Sequence, residues 1–210
     1  FTVRSVDGTT STVVVTINGT NDNAVISSGT GSVTEDVAVS GGRIATGGTL
    51  TVTDSDAGEA AFQPQASTAG TYGTFTLNAA GAWTYSALNA NPAIQALGAG
   101  DTLTETFTVR SVDGTTSTVV VTINGTNDGP VALADAATTS EDTPLTLTPS
   151  ALLGNDSDLD GDALTITSVQ SAVNGSVAIV AGNVVFTPAP NFSGLASFSY
   201  TISDGRGGTS

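Results

Sequence analysis

The residues best equipped for chemistry in this chain lie in the run NDSDLDGDAL, where Asp156, Asp158, Asp160 and Asp162 take alternate positions around Gly161. Carboxylates crowded this closely repel one another unless something neutralises them. On a tightly turned segment alternate side chains converge, and the glycine permits the bend. Such a set invites a hard divalent cation bound through oxygen. Ca2+, which takes about six to eight oxygens in irregular geometry, suits it better than Mg2+, which demands a tight octahedron. A weaker set of the same kind, TDSDAGE, carries Asp54, Asp56 and Glu59.

Composition removes the main competing chemistries. The chain has 210 residues with no His and no Cys, and its four basic residues are Arg4, Arg43, Arg110 and Arg206. Thiol chemistry, a Ser-His-Asp triad and imidazole or thiolate zinc sites are therefore excluded. Lys–Asn cross-links are excluded with them, and any rigidity must come from something other than disulfides. A net charge of −15 repels nucleic acid and anionic membranes, so neither is an expected partner. No apolar run approaches the length of a membrane span. Paired carboxylates can hydrolyse glycosides, but these sit in loops beside linkers, and no enzyme is expected.

The stretch FTVRSVDGTTSTVVVTINGTND occurs at residues 1–22 and again, letter for letter, at 107–128. Identity at this level reads as a tandem array still being copied, with this chain a window cut from it. The expected division is a closing hairpin and linker of a preceding repeat at 1–22, a complete domain at 23–128, and a second domain at 129–210 that lacks its last strand.

Abundant Thr, Val and Gly with few aromatics predicts an all-β fold. In TFTVRSV, Phe107 and Val109 alternate inward; in STVVVTIN, Val119, Val121 and Ile123 do the same. Asp113-Gly114 marks the hairpin turn between them. A second hairpin is predicted in GTFTLNAAGAWTYSA, with Phe75 and Leu77 opposite Trp83 and Tyr85 and the Trp as a core anchor. Only PAIQALG, residues 92–98, reads as helical. FSYTISDG at 198–205 repeats FTVRSVDG at 107–114 without gaps, and EDTPLTL, opening with Glu141 and Asp142, echoes EDVAVSG, opening with Glu35 and Asp36. The fold class is thus tandem Greek-key β-sandwiches of about seven strands each, in an elongated array.

That topology gathers the acidic loops. Strands alternate in direction, so the second–third and sixth–seventh strand loops share one end of a sandwich with the incoming linker. At the first sandwich this end would hold Asn21, Asp22, Asn23, Asp54, Asp56, Glu59 and Asp113. At the second it would hold Asn127, Asp128, Asp156–Asp162 and Asp204. Glu35 and Asp36 fall at the opposite end of the first sandwich, facing the second; Asp101 and Glu105 are expected near them.

TINGTNDNAV and TINGTNDGPV resemble the cadherin linker, SVDG the cadherin sixth–seventh strand aspartate motif, and DSD the Asp-x-Asp motif. Residues 23–128 are similar to a VCBS repeat through GTLTVTDSDAGEAAF, GTYGTFTLNAAGAWTY and ALGAGDTLTETFTVRSVDG. Residues 129–210 resemble a bacterial cadherin-like tandem repeat through EDTPLTL, LLGNDSDLDGDALTI, FTPAPNFSG and FSYTISDGRGG. The resemblance implies immunoglobulin/cadherin-like sandwiches and a Ca2+-stiffened extender in a large RTX-type adhesin. It implies a chain on the bacterial surface, exported by type I secretion, that supports adhesion or biofilm formation. The expected partners are adjacent repeats of the same chain. A module that itself binds a glycan or protein is the alternative. The hairpin Phe1–Asn18 is further expected to pair with another molecule's incomplete sheet.

Overall fold

The computed structural model describes residues 1–210 and is built from short antiparallel strands. At the N-terminus, β1 (Thr2–Arg4) and β2 (Thr10–Thr12) form a hairpin with every residue exposed. Its turn is the Ser-Val-Asp-Gly sequence, where the Asp7 carboxylate accepts the Thr9 N–H (3.0 Å) and the Ser5 hydroxyl. These donors hold Asp7 down to about 2. Beyond Val13, whose N–H still reaches the Phe1 carbonyl, the chain runs unpaired to the first sandwich.

The first sandwich comprises β3 (Val25–Ile26), β4 (Gly29–Thr34), β5 (Arg43–Thr49), β6 (Val52–Thr53), β7 (Gln65–Ala69), β8 (Gly73–Leu77), β9 (Ala82–Leu88), β10 (Thr102–Arg110) and β11 (Thr116–Asn124). One sheet has the order β5-β9-β8-β7; the facing one has β10-β11-β4, with β11 antiparallel to β10 and parallel to β4. The period-two pattern decides what goes inside. Phe107, Val109, Val119, Val121 and Ile123 are buried while the threonines between them face water. The predicted aromatic hairpin pairs Phe75 with Tyr85 and Leu77 with Trp83. Phe75 stacks on Phe107 across the two sheets at 4.7 Å between centroids and on Trp83 at 6.0 Å. A sixteen-residue apolar cluster results, and each large side chain in it contributes roughly 1.5–3 kcal/mol by leaving water.

Trp83 explains the glycines of the neighbouring strands. A Cβ on Gly31 would stand 2.6 Å from its Cη2, and one on Gly48 3.0 Å from its Cζ2. The indole lies in space those residues leave free. Gly31→Ala is expected to destabilise the chain by about 1–3 kcal/mol through this overpacking. Chemical denaturation checks it, and an unchanged midpoint would show that the ring can move aside.

One expectation is corrected. Glu105 does not stand near the end of the sandwich. β10 begins already at Thr102, so Glu105 shares the inward face with Phe107 and Val109. Its carboxylate is buried, accepting the Tyr72 N–H (2.9 Å) and the Tyr85 hydroxyl (2.5 Å).

After α1 (Pro92–Gln95), capped by the Asn91 side chain, and after β11, the linker leads into the second sandwich. This contains β12 (Leu145–Leu147), α2 (Pro149–Leu152), β13 (Thr165–Val173), β14 (Gly175–Val180), β15 (Asn183–Pro188) and β16 (Ser197–Ser203). The one-turn helix α2 was not anticipated; proline at its first position favours it. β14 and β15 join through Ala181-Gly182, both at positive φ, matching the twist of a two-residue hairpin turn. Only Leu152, Val184, Phe186 and Ile202 are buried apolar residues here. The core is thin because β16 has β13 on one flank, while on the other only Ile202 and Ser203 find partners, at Ser210 and Thr209.

Candidate metal centre

Two sets of loops, one at the head of each sandwich, follow the same hydrogen-bonding plan. In each Asp-x-Asp loop the first carboxylate closes the turn. Asp54 Oδ1 accepts the Asp56 N–H at 2.8 Å, and Asp158 Oδ1 accepts the Asp160 N–H at 3.0 Å. The second carboxylate reaches the linker: Asp56 Oδ2 accepts the Asp22 N–H (2.6 Å) and Asp160 Oδ2 the Asp128 N–H (2.8 Å). The linker asparagines brace their own turn, Asn21 and Asn127 each donating to the next aspartate's carbonyl at 3.0 Å. The third element is the hairpin aspartate. Asp113 Oδ2 accepts the Ala24 N–H (2.9 Å), beside Asn23, and Asp204 Oδ2 accepts the Asn127 side-chain amide (2.7 Å).

The second set also meets the foot of the first sandwich. Glu35 is fully buried; its Oε1 accepts the Thr126 N–H from the linker at 2.7 Å. Asp36, at positive φ, is held by Asn89 and Gln95. The Asp101 carbonyl accepts the Gly125 N–H (3.0 Å), and the Asp101 carboxylate and Asp160 both approach Gly98. Gly125 is required here, since a Cβ would fall 2.2 Å from the Leu97 carbonyl oxygen. The linker thus lies directly on the chain end that follows α1.

These groups are of two electrostatic kinds. Asp113 and Asp204 are surrounded by donors, the Ser111 hydroxyl and Ala24 N–H for one and the Asn127 amide for the other, which hold both below the usual carboxylate range. Glu35, Asp128 and Glu59 are in the opposite state. Burial, then neighbouring carboxylates, push all three up, Glu35 to about 7. Buried oxygens without any donor sit in the same places: Glu35 Oε2, Asn127 Oδ1, Asp128 Oδ2, Asp158 Oδ2 and Asp160 Oδ1 around the second set, Asp54 Oδ2 and Glu59 Oε2 in the first. Carboxylate oxygens of Asp54, Asp56 and Glu59 lie within 4.8 Å of one another, as do those of Asp158, Asp160 and Asp162. Lone-pair donors crowded together with no proton to share are the donor set that a hard divalent cation fits.

A pH dependence follows. In chelator, Glu35 binds more protons folded than unfolded between about pH 4.5 and 7, so stability falls as pH rises through that window. Asp113 and Asp204 act oppositely, contributing stability that is lost as pH drops below their usual range. Melting temperature in chelator is therefore expected to decline from pH 4.5 to 7, and in millimolar Ca2+ to hold or rise. A chelator profile that climbs over this range would show that Glu35 is not the buried acid described.

Not every sequence candidate joins these sets. Asp156 faces away, its Oδ1 accepting the Leu133 N–H at 2.8 Å. Glu141 and Asp142 stand apart and exposed, with Asp142 Oδ1 accepting the Asn191 N–H. Arg206 was missed as a site residue: its Nε donates to Asp162 Oδ1 at 2.8 Å, taking part of that carboxylate's capacity. Its place two residues after Asp204 was the available signal. Asn89, Gln95 and Thr126 carried none, since only the fold brings them to the junction.

Residues 21–125 match the profile of the bacterial cadherin-like domain, and residues 126–210 that of a cadherin-like domain. The chain belongs to the bacterial cadherin-like family. In this cadherin-like chain the linker, Asp-x-Asp and hairpin-aspartate motifs are the elements that meet at each sandwich head. Such domains are typically not enzymes, and they point to an adhesion or extender module in an extracellular or surface protein. Comparison with curated protein sequences found no match. Among solved structures, the chain is similar to the endo-fucoidan hydrolase MfFcnA4 from glycoside hydrolase family 107 and to a point variant of it, at 18% and 20% identity and a TM-score of 0.32 for both. The likeness covers all of this chain and 32% of theirs, and at that TM-score carries no argument. No helix is long and apolar enough to cross a membrane.

Proposed function

We propose that this chain is a calcium-stiffened extender from a giant bacterial surface adhesin of the RTX type, with VCBS-like repeats, exported by type I secretion and serving cell adhesion or biofilm formation. One observation carries the reading. Glu35 of one sandwich, Asn127 and Asp128 of the linker, and Asp158 and Asp160 of the next each hold a buried oxygen with no donor. Ca2+ bound there by Glu35, Asp128, Asp158 and Asp160, with Asp36, Asp101, Asn127, Asp162 and Asp204 near by, would supply the positive charge that fixes one sandwich against the next. The first head, with Asp54, Asp56 and Glu59 beneath Asn21–Asn23, supports the same role toward a preceding repeat.

A second reading is a module that itself binds a glycan or protein. It rests on a shallow groove of about 430 Å3 lined by Thr68, Thr71, Thr104, Thr106 and Thr108. Threonine favours solvent-facing strand positions regardless of ligand, which is why the extender is preferred.

Small-angle X-ray scattering separates the two. With millimolar Ca2+, and not with Mg2+, the maximum dimension is expected to increase and the profile to become that of a rod. An unchanged profile together with glycan-array binding would transfer the assignment to the binding module.

A further inference from the structure

The second sandwich carries an open apolar groove of about 690 Å3 between β16 and residues 132–139. Its place in the fold is clear from the first sandwich, where β11 fills the equivalent space, antiparallel to β10 and parallel to β4. β16 corresponds to β10 through the match of Phe198 to Phe107. Residues 135–140 correspond to β4 through the match of Glu141 to Glu35, yet they form no strand. The groove is therefore a strand-shaped slot with two unpaired walls. On β16 the edge from Ser197 to Thr201 lacks a partner on this side.

The same chain holds a segment with the sequence of the strand that fills such a slot. Ser11–Asn18 is identical to Ser117–Asn124. In β11, Val119, Val121 and Ile123 expose 0% of their surface; their counterparts Val13, Val15 and Ile17 expose 48%, 61% and 90%. Only Thr10–Thr12 are strand-paired, to the wholly exposed β1, which a stronger partner would displace.

We propose that the slot receives the Thr10–Asn18 strand of a second copy of this chain. The register of the first sandwich, carried across, sets Val13 against Phe198 and Asp135, Val15 against Ala196 and Ala137, and Ile17 against Gly194 and Thr139. All six of those wall residues line the groove. The strand brings no charge into the slot, and its alternate apolar side chains face the thin core under Phe186 and Leu152.

A chain's own segment does not reach its own slot. The Asp22 N–H is fixed to Asp56 at the head of the first sandwich. From Asn18 to Asp22 the chain spans at most roughly 14 Å. The nine-residue β10 separating that head from the second sandwich is about 30 Å long. Docking is therefore between copies. Because donor strand and slot are different surfaces, the contact does not close on itself, and it builds linear chains of molecules rather than a symmetric dimer. The proposal is independent of any cation at the junctions.

Sedimentation velocity of the 210-residue chain over a concentration series tests it, beside Val15→Asp, Ile17→Asp and a synthetic peptide of Ser11–Asn18. The native chain is expected to form dimers, trimers and longer species as concentration rises. Each substitution should weaken association by more than about tenfold, since a buried carboxylate replaces an apolar side chain. Both sites are exposed within one molecule, so thermal unfolding of the variants should match that of the native chain. The peptide, and not a scrambled version, should bind the monomeric Val15→Asp chain and cap native assemblies. A native chain monomeric throughout, assemblies indifferent to Val15→Asp, or a peptide that does not bind would each overturn the proposal.

Discussion

In saturating Ca2+ the native chain is expected to melt about 10–20 °C higher than in chelator, and Asp160→Asn to lose the part of that gain belonging to the second junction. Ligand at about a hundred times its dissociation constant stabilises a folded protein by about 2.7 kcal/mol per site. For a domain of about 100 residues, each kcal/mol moves the midpoint by roughly 4–8 °C. Asp160 is the informative position because its two oxygens do different things. Oδ2 accepts the Asp128 N–H and braces the linker, while Oδ1 is buried without a donor. Asparagine keeps the linker contact and removes only the charge, so the variant should match the native chain in chelator. Asp56→Asn repeats the test at the first head, where the N–H of Asp22 is the partner. The double variant should lose nearly all of the Ca2+ effect. Full native gain in the double variant would mean that the ion acts elsewhere.

Tyr85→Phe is expected to cost about 3 kcal/mol, although it removes a single oxygen from the core. Tyr85 is fully buried and its hydroxyl donates to Glu105 Oε2, leaving Oε1 for the Tyr72 N–H. Burial, then the bond to Glu105, holds the Tyr85 phenol above its ordinary range. Without that donor a buried carboxylate faces the Phe75–Phe107 stack unpaired, and stranding a buried charge is worth about 3–5 kcal/mol. Glu105→Gln should cost less, because the amide can still accept from Tyr72 and can donate to Tyr85. The double variant should cost less than the sum of the two, since with glutamine at position 105 the loss of the Tyr85 hydroxyl no longer strands a charge. Urea unfolding of all three closes the cycle. Additive costs would show that the pair is not coupled.

Much of this was legible before any coordinates. The alternation in FTVRSV and STVVVTIN placed Phe107, Val109, Val119, Val121 and Ile123 inside because side chains on a strand alternate faces. The hairpin containing Trp83 followed from the same rule and a glycine turn. The Asp-x-Asp loops, the Asn-Asp linkers and Asp113 were visible because turn chemistry is local, and the exact repeat indicated that the plan recurs.

Other features depended on contacts far apart in sequence. Glu105 and Glu35 are both acids beside β-type residues, yet one is bonded to two tyrosine groups in the core and the other is sealed by the linker. Strand register decided the first; the packing of Thr126 and Gly125 against residues 97–101 decided the second. Asp156 reads as one of four equivalent alternate carboxylates, but its loop turns it toward Leu133 and leaves three to converge. The sequence by itself determined the fold class, the core-facing residues and the cation-seeking loops, since alternation and turn signals act over a few residues. Only tertiary structure decided which acids are buried without a proton donor and which slot stands open, because both depend on what packs across from them.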